Sequence, residues 1–151
     1  KYPEVNFVFI GPSVKQSDQA FDKSDRRIHR LGSVDLQTKT DAIAACTMLC
    51  VPSTQESFGG VYTEAWSFNK PVIGCPIPAV AEVVTHGVDG YLVEQEPSQI
   101  AEAICHLLAN PSLAESMGKA GHNKVKQCFT LERLAQKTEQ AYQAVLSGKS
   151  L

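Results

Sequence analysis

The chain has 151 residues, 43% of them hydrophobic and 20% charged, with a net charge of −2. Such a length suits one domain with one core. The balance lacks the basic surplus that nucleic-acid or anionic-membrane partners usually require, and no apolar run nears the roughly 20 residues of a membrane span.

The chain opens Lys1-Tyr2-Pro3 without an initiator Met, so it is expected to be part of something longer. Val5 to Ile10 is β-branched and aromatic and stops at Gly11-Pro12, which predicts a buried strand. Ser13 to Arg27 is polar and aperiodic and reads as a loop. Ile28 to Leu31 is a short strand, Asp35 to Ala45 a helix, and Met48 to Val51 a second buried strand stopped by Pro52. Val61 to Phe68 reads as a helix after Gly59-Gly60, and Pro71 to Gly74 as a strand. A short helix over Val80 to Thr85 ends at His86-Gly87, and Gly90 to Val93 is the next strand. Ile100, Ala103, Ile104, Leu107 and Leu108 repeat at helical spacing. Two more helices follow, Leu113 to Phe129 and Leu131 to Leu146, the last capped by Thr130. Alternating strands and helices predict an α/β fold, a parallel sheet covered by helices on both faces, with no internal domain boundary.

The cysteines Cys46, Cys50, Cys75, Cys105 and Cys128 form no Cys-x-x-Cys pair, and Cys50 and Cys75 stand in apolar runs. They read as buried thiols of a reducing cytoplasm. His29, His86, His106 and His122 are scattered without metal-ligand spacing, and no metal site is expected. Trp66 reads as a core anchor. Arg26-Arg27 after Asp25 reads as a solvated loop. Glu82 is a candidate helix cap or site residue.

The chemistry concentrates between Val51 and Gly74. Glu56 precedes, and Glu64 follows, the glycine pair Gly59-Gly60. Glycines let the backbone turn sharply and approach a ligand. The helix behind them offers free N–H groups and a positive dipole end to a phosphate, with Thr63 as a further hydroxyl donor. Glu64, expected in the first helical turn, suits the vicinal diol of a ribose. Glu56 suits hydroxyls at the other end of the same ligand. A tight turn and a favourably placed helix-start Glu would explain these residues equally well without any ligand.

The string Pro52-Ser53-x-x-Glu56-x-Phe58-Gly59-x-Val61-x-x-Glu64-Ala65, then Lys70-Pro71-Val72-Ile73, resembles the Glu-x7-Glu signature of retaining GT4 glycosyltransferases with the GT-B fold. Phe9-Ile10-Gly11, the stretch from Ile28 to Val34, Glu82-Val83-Val84, Gly87 and Asp89 to Val93 extend the likeness along nearly the whole chain. The resemblance implies the Rossmann-like, three-layer C-terminal half of such an enzyme, incomplete at its N-terminus. It implies that residues 1–151 are the nucleotide-sugar-binding domain of a longer protein that transfers a sugar from a nucleotide-diphosphate donor with retention. Glu64 would bind the ribose. Glu56, the one nearby candidate for a catalytic carboxylate, would bind the transferred sugar. Backbone N–H groups of Phe58, Gly59, Gly60 and Val61, with the Thr63 hydroxyl, would hold sugar and diphosphate. Val34, Asp35 and Lys39 fall where some relatives contact the nucleobase.

No cofactor or metal is implied. The implied partners are the donor, an N-terminal acceptor domain of the same protein and, for a lipid acceptor, peripheral contact with the inner face of a membrane from a cytoplasmic location. Pro78-Ala79 stands where the family usually has Gly-Gly. The family's Arg and Lys that neutralise the leaving diphosphate would precede Lys1, so the fragment alone is expected to be inactive. The rival readings are a sugar-nucleotide epimerase of related fold and a non-catalytic sugar-nucleotide-binding module.

Overall fold

The computed structural model describes residues 2–12, 21 and 24–148. The chain divides into two compact units, Lys1–Ala45 and Cys46–Leu151. In the first, β1 (Phe7–Ile10) and β2 (Ile28–Gly32) pair in parallel, with Phe7 opposite Ile28 and an irregularity between Phe9 and Ile10. α1 (Leu36–Ala45) follows. The loop expected between the strands lies largely outside the described residues. Near its end the Arg27 guanidinium grips both oxygens of Asp25, at 2.9 and 2.6 Å, and holds that carboxyl down at about 2. β1 departs from the expected buried strand: Val8 is 54% and Phe9 42% exposed. Its hydrogen-bonded neighbour among the described residues is β2 alone, so the apolar side chains of this strand lack the cover that a central strand receives.

The second unit holds β3 (Leu49–Val51), α2 (Gly60–Ser67), β4 (Val72–Gly74), α3 (Pro78–Ala81), β5 (Gly90–Leu92), α4 (Pro97–Ala109), α5 (Pro111–Cys128) and α6 (Leu131–Leu146). Its strands run parallel in the order β3-β4-β5, with Leu49 opposite Val72 and Val72 opposite Gly90. The fold is thus α/β with parallel strands, hydrogen-bonded as one sheet in each unit. Successive residues of a strand face opposite sides, and in β4 both Val72 and Ile73 are wholly buried, so this sheet is covered on both faces. On one side Ile73 packs with Ala103 and Leu107 of α4 and Ala114 and Met117 of α5. On the other, Val72 and Val84 close on Gly90, where an added Cβ would lie 2.6 Å from Val72.

Prolines set several helix starts. α3 begins at Pro78, behind extended Ile77, and ends at Glu82, two residues ahead of the stretch that composition predicts. Pro97 and Pro111 likewise open α4 and α5 rather than merely breaking what precedes them, because a proline in the first turn gives up an N–H that the helix leaves unpaired anyway. α6 starts at Thr130, whose hydroxyl accepts the Arg133 N–H at 3.3 Å. Its apolar residues Leu131, Leu134, Tyr142 and Val145 are exposed. Among the described residues no helix is long and apolar enough to cross a membrane.

Trp66 ties α2 to α5. It is fully buried, and its indole N–H donates to the Asp89 carbonyl at 2.9 Å. The buried Asp89 carboxylate accepts the Thr85 N–H at 2.8 Å and forms an ion pair with Lys124 of α5. The Lys124 ammonium also donates to the Val83 carbonyl and the Thr85 hydroxyl, each at 2.8 Å, and stands 5.3 Å from the centre of the Trp66 ring. α5 approaches this closely because Gly121 faces the indole and Gly118 faces the Asn69 backbone; a Cβ at either would come within 2.1 and 1.9 Å respectively. Removing the cation strands a buried charge, a change that costs about 3 kcal/mol or more. Lys124→Met should lower stability by about that amount in urea denaturation.

Candidate functional site

Because β3, β4 and β5 are parallel, their carboxyl ends share one edge of the sheet, where α/β folds place ligands. β3 ends there at Val51 and runs into the loop that carries Glu56, and the loop turns at Gly59 into α2. Gly59 is the N-cap, in left-handed geometry at φ 74° and ψ 46°. Its Cβ would lie 2.6 Å from the ring of Tyr62, so the site admits only glycine without strain. Gly60 is different. It is the first residue of α2, its φ is not positive, and a Cβ there would meet nothing within 4 Å. The two glycines divide the work: Gly59 makes the turn, and Gly60 leaves open space above the helix start. No side chain caps α2, and the first N–H groups of a helix have no partner within it.

Tyr62 fixes this arrangement, a role that sequence reasoning missed. The side chain is fully buried and its hydroxyl donates to the Val51 carbonyl at 2.8 Å, tying α2 back to the end of β3. The ring sits between two glycines, since a Cβ on Gly74 would come within 2.7 Å of its hydroxyl oxygen. Burial raises the phenol pKa well above its usual value, and the nearby charge of Glu56 adds to the shift. Glycines at 59 and 74 framing a Tyr at 62 were the available signal.

Glu64 stands one residue deeper than the first turn, because α2 already starts at Gly60. Side chains on a helix tilt toward its N-terminus, so Glu64 still leans toward the helix start; its Oε2 is buried. The Thr63 hydroxyl donates to the Gly60 carbonyl at 2.7 Å, a bond inside the helix that engages the proton expected for a ligand. Phe58 is 45% exposed, and its ring meets that of Phe129 edge to face. Farther along the edge, the Gln95 amide donates to the Pro52 carbonyl at 2.7 Å. Glu82 ends α3 rather than starting it, away from the helix N-terminus.

Val34, Asp35 and Lys39 belong to the first unit. Asp35 there caps α1: its carboxylate accepts the Thr38 N–H at 2.7 Å, which lowers its pKa. Among the described residues no group of three or more His, Cys, Asp and Glu side chains is placed to hold a metal. The histidines have structural partners instead. His122 donates to the Trp66 carbonyl at 3.1 Å, His29 pairs with Asn6, His86 with Leu92, and His106 meets the Tyr91 ring. All five cysteines are free thiols, and burial pushes Cys50 up to about 11 and raises Cys46 and Cys75 as well, which makes them poor nucleophiles.

The family described as Glycosyl transferases group 1 matches residues 1–110, and the chain belongs to that family. Human alpha-1,3/1,6-mannosyltransferase ALG2 is 35% identical over 115 residues, 76% of this chain and 27% of that protein. Among solved structures, Anabaena HepE in complex with UDP-glucose superposes with a TM-score of 0.83 at 23% identity, over 94% of this chain and 42% of that one. The C-terminal domain of the glycosyl transferase group 1 family protein LpcC from Francisella tularensis superposes with a TM-score of 0.77 at 24% identity, over 87% of this chain and 73% of that one. These likenesses give the fold as part of a GT-B glycosyltransferase. The chain spans about a quarter to a third of the length of the curated relatives it matches.

Two outcomes test the geometry. Gly59→Ala should cost about 2 kcal/mol through its φ and the Tyr62 clash, while Gly60→Ala should stay within about 0.5 kcal/mol of wild type in thermal melts. Asp35 has a lowered pKa when folded, so its stabilisation is complete above the unfolded value and disappears as pH falls through the folded one. Asp35→Asn, a cap at any pH, should therefore lose less stability on acidification than wild type, as read by melts from neutral pH downward.

Proposed function

We propose that this chain is the donor-binding part of a longer enzyme that transfers a sugar from a nucleotide-diphosphate sugar to an acceptor with retention of configuration. The observation that carries the reading is the pair of carboxylates, Glu56 and Glu64, set around the left-handed Gly59 turn at the start of α2. Glu64 binds the ribose diol, and Glu56 binds hydroxyls of the transferred sugar. The diphosphate lies on the backbone N–H groups from Phe58 to Val61, where the helix end is positive. The open space over Gly60 gives a ligand close access to the backbone there. Thr63 joins by turning its hydroxyl away from Gly60. Contacts to the nucleobase are proposed for Val34, Asp35 and Lys39.

Relatives named for transfer of mannose and other sugars support this chemistry, and the shared fold of HepE with UDP-glucose is consistent with the donor class. Stabilisation of the leaving diphosphate by cations, and binding of the acceptor, are assigned to the rest of the parent protein. A cytoplasmic location, with peripheral membrane contact for a lipid acceptor, belongs to the same proposal and is checked by cell fractionation; recovery of the parent outside the cytoplasm would refute it.

Calorimetric titration of the full-length parent with UDP-, GDP- and ADP-sugars tests the donor class. Hydrogen bonds to a charged group are worth about 1.5–3 kcal/mol, so Glu64→Ala should weaken nucleotide binding about tenfold to a hundredfold. Unchanged nucleotide affinity would sink the ribose assignment. Gly60→Ala should fold normally yet bind the donor more weakly, because its methyl group occupies the ligand's approach.

A further inference from the structure

Resting on that donor-site reading, we propose that Phe129 is a positioning residue, which holds the loop before α2 in its donor-binding shape through the ring of Phe58. The rings stand edge to face, with centroids 5.6 Å apart and planes at 73°. Phe129 lies far along the chain, beyond residues 1–110 that carry the family match.

Among the described residues the loop has few other ties. At its start the Gln95 amide holds the Pro52 carbonyl, and the Ser53 hydroxyl donates within the loop to the Gln55 carbonyl at 2.9 Å. At its end, Gly59 turns against Tyr62. Phe58, next to the turn, carries one of the N–H groups assigned to sugar and diphosphate, and it stands two residues from Glu56. The residue is 45% exposed, so burial alone does not fix it. Phe129 provides the fixed surface. It is half-buried, its N–H donates to the Val125 carbonyl at 2.9 Å, and the next residue, Thr130, caps α6. Its backbone is therefore held between two helices. A ring packed against it restrains the position of the Phe58 side chain and so of the backbone atom that carries it.

This assignment predicts a selective effect. A loop that loses its backstop should bind the sugar and diphosphate less well, while the nucleoside end, held through Glu64 on α2, keeps its contacts. A ring pair that merely seals the surface would instead alter stability alone, or all ligands together.

UDP-glucose, GDP-mannose and ADP-glucose are titrated into the full-length protein, with UMP, GMP and AMP in parallel. Wild type that binds none of the three sugar nucleotides overturns the donor-site reading, and this inference with it. Where wild type binds one, Phe129→Ala should raise the Kd for that sugar nucleotide about threefold to tenfold and the Kd for the matching monophosphate by less than about twofold. Phe129→Tyr, which keeps the ring, should restore the wild-type value. Phe129→Leu, which keeps bulk without a ring, replaces the alanine variant if that one fails to fold. Phe58→Ala should match the Phe129 variant, and the double variant should add no further loss. Unchanged affinity for the sugar nucleotide, equal losses for both ligands, or additive losses in the double variant would overturn the role of Phe129 while leaving the donor site standing.

Discussion

The buried contact among Trp66, Asp89 and Lys124 is the constraint on which the larger unit depends. An indole and a carboxylate are brought out of water together against the partly exposed Lys124 ammonium, and their polar groups are met by other parts of the chain. The arrangement joins α2, the turn before β5 and the middle of α5, elements that no short-range signal links. A carboxylate in this position is tolerable only with its partners in place. Gly118 and Gly121 are the geometric condition for it: they bring α5 onto the backbone at Asn69 and the face of the indole.

From that anchoring follows the placement of the candidate site. α2 cannot shift along the sheet while Trp66 is locked at one end and the Tyr62 hydroxyl is bonded to the end of β3 at the other. The turn at Gly59 is then held between a fixed strand and a fixed helix, and the loop before it meets the ring of Phe129 through Phe58. A site made of backbone N–H groups needs this kind of support, since such groups point usefully only when the peptide planes are fixed. The residues that would touch a ligand are few, while those that keep them in place extend to the end of α5.

Much of this was legible in the sequence, for identifiable reasons. Short β-branched runs closed by glycine or proline mark the strands, and the spacing of Ile100, Ala103, Ile104 and Leu107 marks α4. Glu56, Gly59 and Glu64 drew attention because carboxylates around a glycine turn are chemically suggestive, and Trp66 is the core anchor expected. The errors also have physical causes. Composition makes β1 look buried, but burial depends on neighbours, and Val8 and Phe9 stand exposed. α3 starts early because Pro78 fits a helix start, and its ending at Glu82 removes that carboxylate from the helix mouth.

The sequence by itself determined the parallel α/β plan, the glycine turn and the identity of the two carboxylates, because these rest on local backbone preference, hydrophobic period and residue chemistry. The tertiary structure alone decided which glycine turns and which leaves room, because that depends on where the Tyr62 ring lies. It alone paired Asp89 with Lys124 and Phe58 with Phe129, since such partners are distant in the chain and are chosen by the shape of the packed core, which no local pattern records.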